Sequence, residues 1–334
     1  MGDKKIVMSL VQPSGDLTIG NYLGAMKNFL SFQDEYDSYF GVADLHSITV
    51  PQVPKDLRRR TKEIVALYLA IGLDPEKVTV FVQSHIIEHL QLYWVINSIS
   101  YMGQLSRMTQ FKEKSQKSEE NLNAALFTYP SLMAADILIY NADYVPIGDD
   151  QNQHMELARD IAERFNNRYS ETFTVPQGMV NKSSRRIMSL KNPNVKMSKS
   201  DPDKNACIFI LDEPNAIRKK IKGAVTDSLA NFAYNDEQKG LKNLIDIYCS
   251  IAEVETEEVI EKYKGSSYAQ FKDDLAELVV ATLSPIQEKY YKYINDTQLI
   301  DSILEEGKIK AKRRASKMIN KVYRKVGFYQ LKNK

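Results

Sequence analysis

Hydrophobic positions follow two rhythms along this chain. Ile6 to Val11 is a short continuous apolar run that reads as a strand, Gln12-Pro13-Ser14-Gly15 reads as a turn, and helical spacing takes over from Ile19. The alternation then repeats, with Tyr39 to Leu45 as a strand, Lys55 to Ile71 as a helix closed by Gly72, Val78 to Gln83 as a strand, and Leu90 to Leu105 as a helix. After a charged loop from Lys112 to Glu120 come a helix over Ser131 to Tyr140, a strand over Tyr144 to Ile147 and a helix over Asp150 to Phe165. The alternation ends near residue 175. Short buried strands separated by helices predict a doubly wound parallel sheet of the Rossmann-like α/β class. From about Glu213 onward only helical spacing remains, with turns expected at Lys239-Gly240 and at Lys264 to Ser267, so a helical C-terminal domain follows. The expected division is 1–190 and 191–334, with the last helix able to pack back on the first domain.

Composition narrows the function classes. The 334 residues suffice for two domains sharing a large core. No apolar run approaches the ~18 residues of a membrane span, so no membrane partner is expected. The start of the chain lacks the long apolar stretch of a signal peptide, and Cys207 and Cys249 lie far apart and outside any C-x-x-C. A reducing cytoplasm is the expected compartment, without a disulfide framework or thiolate metal site. Net charge is only +2, yet from Gly307 to Lys334 no acidic residue occurs, while Lys308, Lys310, Lys312, Arg313, Arg314, Lys317, Lys321, Arg324 and Lys325 crowd together. Such a run is a solvated helix face or a nucleic-acid contact, and other residues must decide.

Open α/β sheets bind ligands beyond the carboxyl ends of their strands, which directs attention to Gln12 to Asn21. The segment has neither G-x-x-x-x-G-K-[ST] nor G-x-G-x-x-G, so a P-loop ATPase or dinucleotide dehydrogenase is not indicated. Thr18-Ile19-Gly20-Asn21 nevertheless opens a helix whose free backbone N–H groups suit a phosphate, and Gly20 permits close approach; a capped helix with a small packing residue explains it equally. Farther on, Lys196-Met197-Ser198-Lys199-Ser200 lies in a polar loop, where two ammonium groups can answer the charge that develops on leaving phosphate oxygens. His85-Ile86-Ile87-Glu88-His89 matches the H-x-x-E-H pattern of zinc peptidases, although it follows a predicted strand directly instead of lying inside a long helix. Asp136 shares one helix face with Tyr129, Met133 and Tyr140, so this carboxylate needs a partner, ordinarily a lysine or arginine.

Pro13 to Asn21 resembles the HIGH signature of class I aminoacyl-tRNA synthetases, and Lys196 to Ser200 matches their KMSKS signature letter for letter. Ala43 to Thr49, Arg107 to Ser115, Thr128 to Asp136 and Val145 to Asp160 resemble bacterial-type tryptophanyl-tRNA synthetases in particular; tyrosyl-tRNA synthetases share the fold and both signatures. The resemblance implies that ATP is held by Gln12, Pro13, Ser14, Gly20, Asn21, Gly148, Asp149, Asp150, Ile187, Lys196, Met197, Ser198, Lys199 and Ser200. It implies catalytic parts for Lys196, Lys199, Thr18, Asn21, Lys112 and Lys114. Asp136 would select the indole, Tyr129 and Gln151 would hold the ammonium, and Met133, Val145, Ile147 and His46 would complete the tryptophan pocket. Mg2+ would accompany ATP, tRNA(Trp) would be the acceptor, no DNA would be bound, and the enzyme would be a homodimer. Thr18 and Asn21 depart from the two histidines of the class signature. Leu10 stands where bacterial relatives usually carry glycine, which bears on packing at the amino-acid pocket.

Overall fold

The computed structural model describes residues 4–109, 111, 123–148, 151–179, 185–199, 201–229 and 231–331. Five parallel strands form one sheet: β1 (Ile6–Val11), β2 (Asp37–Val42), β3 (Thr79–Val82), β4 (Tyr144–Pro146) and β5 (Gln177–Met179), in the order β3-β2-β1-β4-β5. The chain winds outward from β1 through β2 to β3, then crosses back to lay β4 and β5 on the other side. The crevice between β1 and β4 is therefore the point where the winding reverses, the usual ligand position in such sheets.

Helices cover both faces. α1 (Ile19–Asn21) runs through a π turn (Tyr22–Met26) into α2 (Lys27–Glu35), followed by α3 (Asp44–Ser47), α4 (Pro54–Ile71), α5 (Glu88–Ile99), α6 (Met102–Leu105), α7 (Ala124–Leu138) and α8 (Asn152–Arg168). Proline at its first turn opens α4, and Gly72 closes it at φ 108, where a side chain would be strained. The C-terminal part is helical: α9 (Pro214–Lys222), α10 (Lys239–Ala252), α11 (Thr256–Lys262), α12 (Tyr268–Asn295) and α13 (Thr297–Val326).

Four expectations shift. The helix expected over Leu90 to Leu105 breaks at Ser100 and Tyr101, whose extended backbone separates α5 from α6. The helix expected from Ser131 begins at Ala124, capped by the Asn123 side chain on Leu126 N, and carries Pro130 inside it. Lys239-Gly240 is no turn: Gly240 lies in the first turn of α10, where a Cβ would stand 2.1 Å from the Val225 carbonyl oxygen. The short strand β5 lies beyond the expected end of the alternation, because Gln177-Gly178-Met179 has no apolar run to announce it.

Buried apolar residues form one cluster that runs from β1 and β2 through α4 into α9, α10 and α12, so the helical part shares its core with the sheet. A second cluster joins Ile6 and Met8 to α5, α7, α8 and the Ala311, Ala315, Ile319 and Val322 face of α13. The last helix does pack back. Gly307 makes this possible, since a Cβ there would lie 1.7 Å from the Val80 carbonyl oxygen of β3.

Candidate active site

A cavity of about 360 Å³ opens at the β1/β4 crevice. Its walls include Gln12, His46, Tyr129, Met133, Asp136, Val145, Ile147 and Gln151. All seven residues expected around an indole are thus in one place, although they come from β4, α7, the loop before α8 and the turn after β2. Met8, Leu10 and Thr49, which the expectation did not name as lining groups, complete it.

The charge at its floor is Asp136, 1% exposed. His46 Nε2 lies 2.7 Å from Oδ2, His89 Nδ1 lies 2.6 Å from Oδ1, and Gln83 Nε2 donates to both oxygens at 2.8 Å. His89 Nε2 is 2.8 Å from the Tyr140 hydroxyl. With Asp136 ionised and acceptor-only, His89 donates to it from Nδ1 and meets the Tyr140 hydroxyl at Nε2, which gives all three groups a partner. Burial alone would raise the Asp136 carboxyl, but the hydrogen bonds and charges of His46 and His89 outweigh it and hold the pKa below its ordinary value. The partner expected on general grounds, a lysine or arginine, is replaced by two histidines and a glutamine.

These bonds also correct the zinc-peptidase pattern. His89 is committed to Asp136 and Tyr140, Glu88 accepts from Ser316 Oγ at 2.6 Å, and His85 is exposed before α5 begins. Among the described residues no group of three His, Cys, Asp or Glu side chains converges as metal ligands. Gln83 and His154 were missed as site residues. Gln83 ends the third predicted strand, the right place to look, and His154 Nε2 meets the Tyr129 hydroxyl at 2.7 Å from one turn into α8.

Leu10 pairs in register with Gly41 across the sheet. A Cβ on Gly41 would fall 2.4 Å from Leu10 Cδ2, so the leucine lies over the bare glycine and packs there beside Phe81. The bulk added to β1 is accommodated by an absent side chain on β2.

The two signature segments adjoin this cavity. Thr18 caps α1: its hydroxyl accepts from Asn21 N at 3.3 Å, and Asn21 Oδ1 accepts from Thr18 N at 2.9 Å. Thr18, 1% exposed, thus fixes the helix start. Gly20 faces Ile187, whose Cβ would be 3.6 Å from an added Cβ, and Ser14 N donates to the Gln12 carbonyl at 2.9 Å. Met197 N donates to the Ile187 carbonyl at 3.0 Å, burying Met197, while Lys196 stays exposed. The Cys207 thiol donates to the Ser198 carbonyl at 3.0 Å. The Lys199 stem runs along Gly15, and its ammonium lies 3.5 Å from the carbonyl oxygen of Gln12, a cavity residue. Gly148 accepts from Gln151 N at 2.9 Å, ahead of α8. Lys112, Lys114, Asp149, Asp150 and Ser200 lie outside the described residues.

Known proteins resemble the chain throughout its length. The family described as class I tRNA synthetases (W and Y) matches residues 2–284. A tryptophan–tRNA ligase of Clostridium perfringens is 54% identical over 324 residues, 97% of this chain and 98% of that protein. Its counterpart in Bacillus subtilis is 50% identical over 325 residues, again covering 97% and 98%. A crystal structure of tryptophanyl-tRNA synthetase from Mycoplasma pneumoniae superposes with TM-score 0.91 at 34% identity, covering 98% of each chain. One from Campylobacter jejuni, complexed with ADP and tryptophan, gives 0.82 at 34% identity, covering 97% of this chain and all of that one.

Burial, aided by the nearby Arg60 guanidinium and opposed by Asp16, pushes the Lys199 ammonium down to about 8. A lysine lowered this way charges at a cost in the folded protein, a cost fully present below about 8 and relieved as pH rises from there towards the ordinary lysine value of 10.5. A bound polyanion favours the charged form, so we expect Lys199 to take up a proton when ATP, itself fully ionised there, binds near pH 8 to 9. Calorimetry in buffers of differing ionisation enthalpy should register this uptake in the parent and lose it in Lys199→Met; equal proton uptake in both would contradict it.

Proposed function

The chain belongs to the class I tRNA synthetases of the tryptophan and tyrosine family, and from that premise we propose that it is a tryptophan–tRNA ligase. It activates tryptophan with ATP and esterifies it onto tRNA(Trp). The observation that carries this reading is the ionised Asp136 on the floor of an apolar cavity whose rim meets the Lys199 loop. Relatives at 50% identity or more over nearly the whole chain favour tryptophan over tyrosine as the substrate.

Tryptophan enters with its ring against Met133, Val145 and Ile147 and its ammonium near Tyr129 and Gln151. The indole N–H is accepted by Asp136. His46 is the Asp136 donor that lines the cavity, whereas Gln83 and His89 stand behind the carboxylate, so His46 is the group that yields or shares its oxygen. The substrate carboxylate attacks the α-phosphorus of ATP in line, pyrophosphate leaves, and tryptophanyl-adenylate remains. Gln12, Pro13, Ser14, Gly20, Asn21, Gly148 and Ile187 cradle the nucleotide. Lys196 and Lys199 answer the charge that builds on the leaving oxygens. The 2'-hydroxyl of the terminal tRNA adenosine then attacks the adenylate carbonyl and releases AMP. Mg2+ enters with ATP as part of the substrate, held by phosphate oxygens and water. Residues 1–190 would carry this chemistry and 191–334 the loop and the RNA-binding helices.

A second copy completes the enzyme. Ile87, Leu90 and Trp94 form an exposed apolar stripe at the start and along the outer face of α5, with Tyr101 and Met102 beyond it, and Trp94 is 68% exposed. Contiguous apolar surface of this kind is the mark of an interface.

Pyrophosphate exchange with each of the twenty amino acids tests the assignment: tryptophan should support it far above all others, and a preference for tyrosine or no exchange at all would overturn it. Lys196→Ala and Lys199→Ala should slow exchange at least roughly 100-fold while tryptophan affinity changes little, because the charge they meet exists only in the transition state. Parent-like rates would remove them from catalysis. Trp94→Glu should sediment as a monomer at concentrations where the parent is dimeric; an unaltered sedimentation coefficient would place the interface elsewhere.

A further inference from the structure

A second concave surface lies at the opposite end of the sheet from the cavity floored by Asp136. It is a cleft of about 560 Å³ between α13 and the amino ends of β2 and β3, where Asp37, Tyr39 and Thr79 form one wall. The other wall carries Lys310, Arg313, Arg314, Lys317 and Lys321. Counted from Lys310 they fall at i, i+3, i+4, i+7 and i+11, hence on one face of the helix, and extend over about 16 Å at 1.5 Å per residue.

Three of the cations are anchored. Arg314 Nε donates to the Tyr140 carbonyl at 2.8 Å and pairs with Asp37, while Lys310 and Lys321 donate to the carbonyls of Pro75 and Thr172. Asp37 is the one carboxylate lining the cleft, and Arg314 already engages it. Among the described residues, Arg313 and Lys317 have no ion pair. One turn earlier the same helix pairs Lys308 with Glu305, so the absence of counter-charge is local to the cleft. Crowded like charges in a concavity destabilise the free protein and focus a positive potential on whatever occupies it. The two unpaired cations, Arg313 and Lys317, stand four residues or about 6 Å apart along the helix, a separation that suits neighbouring phosphates of a polynucleotide backbone.

We propose that this cleft is an RNA-backbone site, with Arg313 and Lys317 as its ligand-facing cations and Arg314, Lys310 and Lys321 as the anchors that hold α13 in place. The proposal rests on the reading of the chain as a tRNA ligase and names where, remote from the adenylate site, the RNA is gripped. Phosphate oxygens are the recognised chemistry, so contact there is independent of base sequence.

The test uses the full chain carrying Arg313→Ala and Lys317→Ala together. Both side chains are exposed, so the thermal midpoint should match the parent. Affinity for a tRNA(Trp) transcript should fall roughly tenfold, and the slope of log affinity against log salt should lessen by about two. Pyrophosphate exchange with tryptophan, which needs no tRNA, should stay at the parental rate. Parental tRNA affinity and salt slope in the double variant would overturn the proposal. So would a result in which inorganic tripolyphosphate loses binding and tRNA does not, which would make the cleft a small-anion site. If the parent itself fails to exchange pyrophosphate, the enzymatic assignment fails instead, and loss of RNA binding in the variant would still support the cleft.

Discussion

A carboxylate at the floor of an apolar cavity stays ionised only if donors surround it, and three separate stretches of chain converge on Asp136 to supply them. His46 comes from α3 after β2, Gln83 from the turn after β3, and His89 from α5. Leaving such a charge unpaired costs several kcal/mol, so these contacts tie the carboxyl ends of two strands to α5 and α7. Tyr140 extends the tie beyond His89 and brings the end of α7 under the same constraint. The amino-acid pocket therefore takes its shape from a need to satisfy one charge as much as from apolar packing.

We propose that the same carboxylate gives the pocket its selectivity. Phenylalanine has no ring donor and tyrosine offers one in a different place, so an acceptor fixed by three partners separates both from tryptophan without an editing step. Its neighbours serve that rigidity. Leu10 over Gly41 fixes one wall, the Thr18–Asn21 cap fixes the start of α1, and the Lys199 ammonium lies beside the Gln12 carbonyl at the cavity.

Local pattern foretold much of this. The strand-helix alternation predicted the doubly wound sheet, and the residues read from the family signatures as indole-facing lie in one cavity. What the pattern hid was non-local. His89 stands 47 residues from Asp136 and Gln83 stands 53 away, so neither bond leaves a mark on sequence spacing. The H-x-x-E-H letters suggested a metal because they share a segment, whereas the fold turns His85 outward and His89 inward. Gly41 as the answer to Leu10 depends on strand register, and β5 is too short and polar to show an apolar period.

As the proposed indole acceptor, Asp136 is more than a structural charge. Pyrophosphate exchange with tryptophan, tyrosine and phenylalanine, for the parent and for Asp136→Asn and Asp136→Ala after circular dichroism confirms folding, tests this role most directly. Tryptophan activation should fall roughly 10- to 100-fold, the worth of a buried donor left unpaired, with a much smaller loss for the other two. A tryptophan preference that survives undiminished in a folded variant would contradict it.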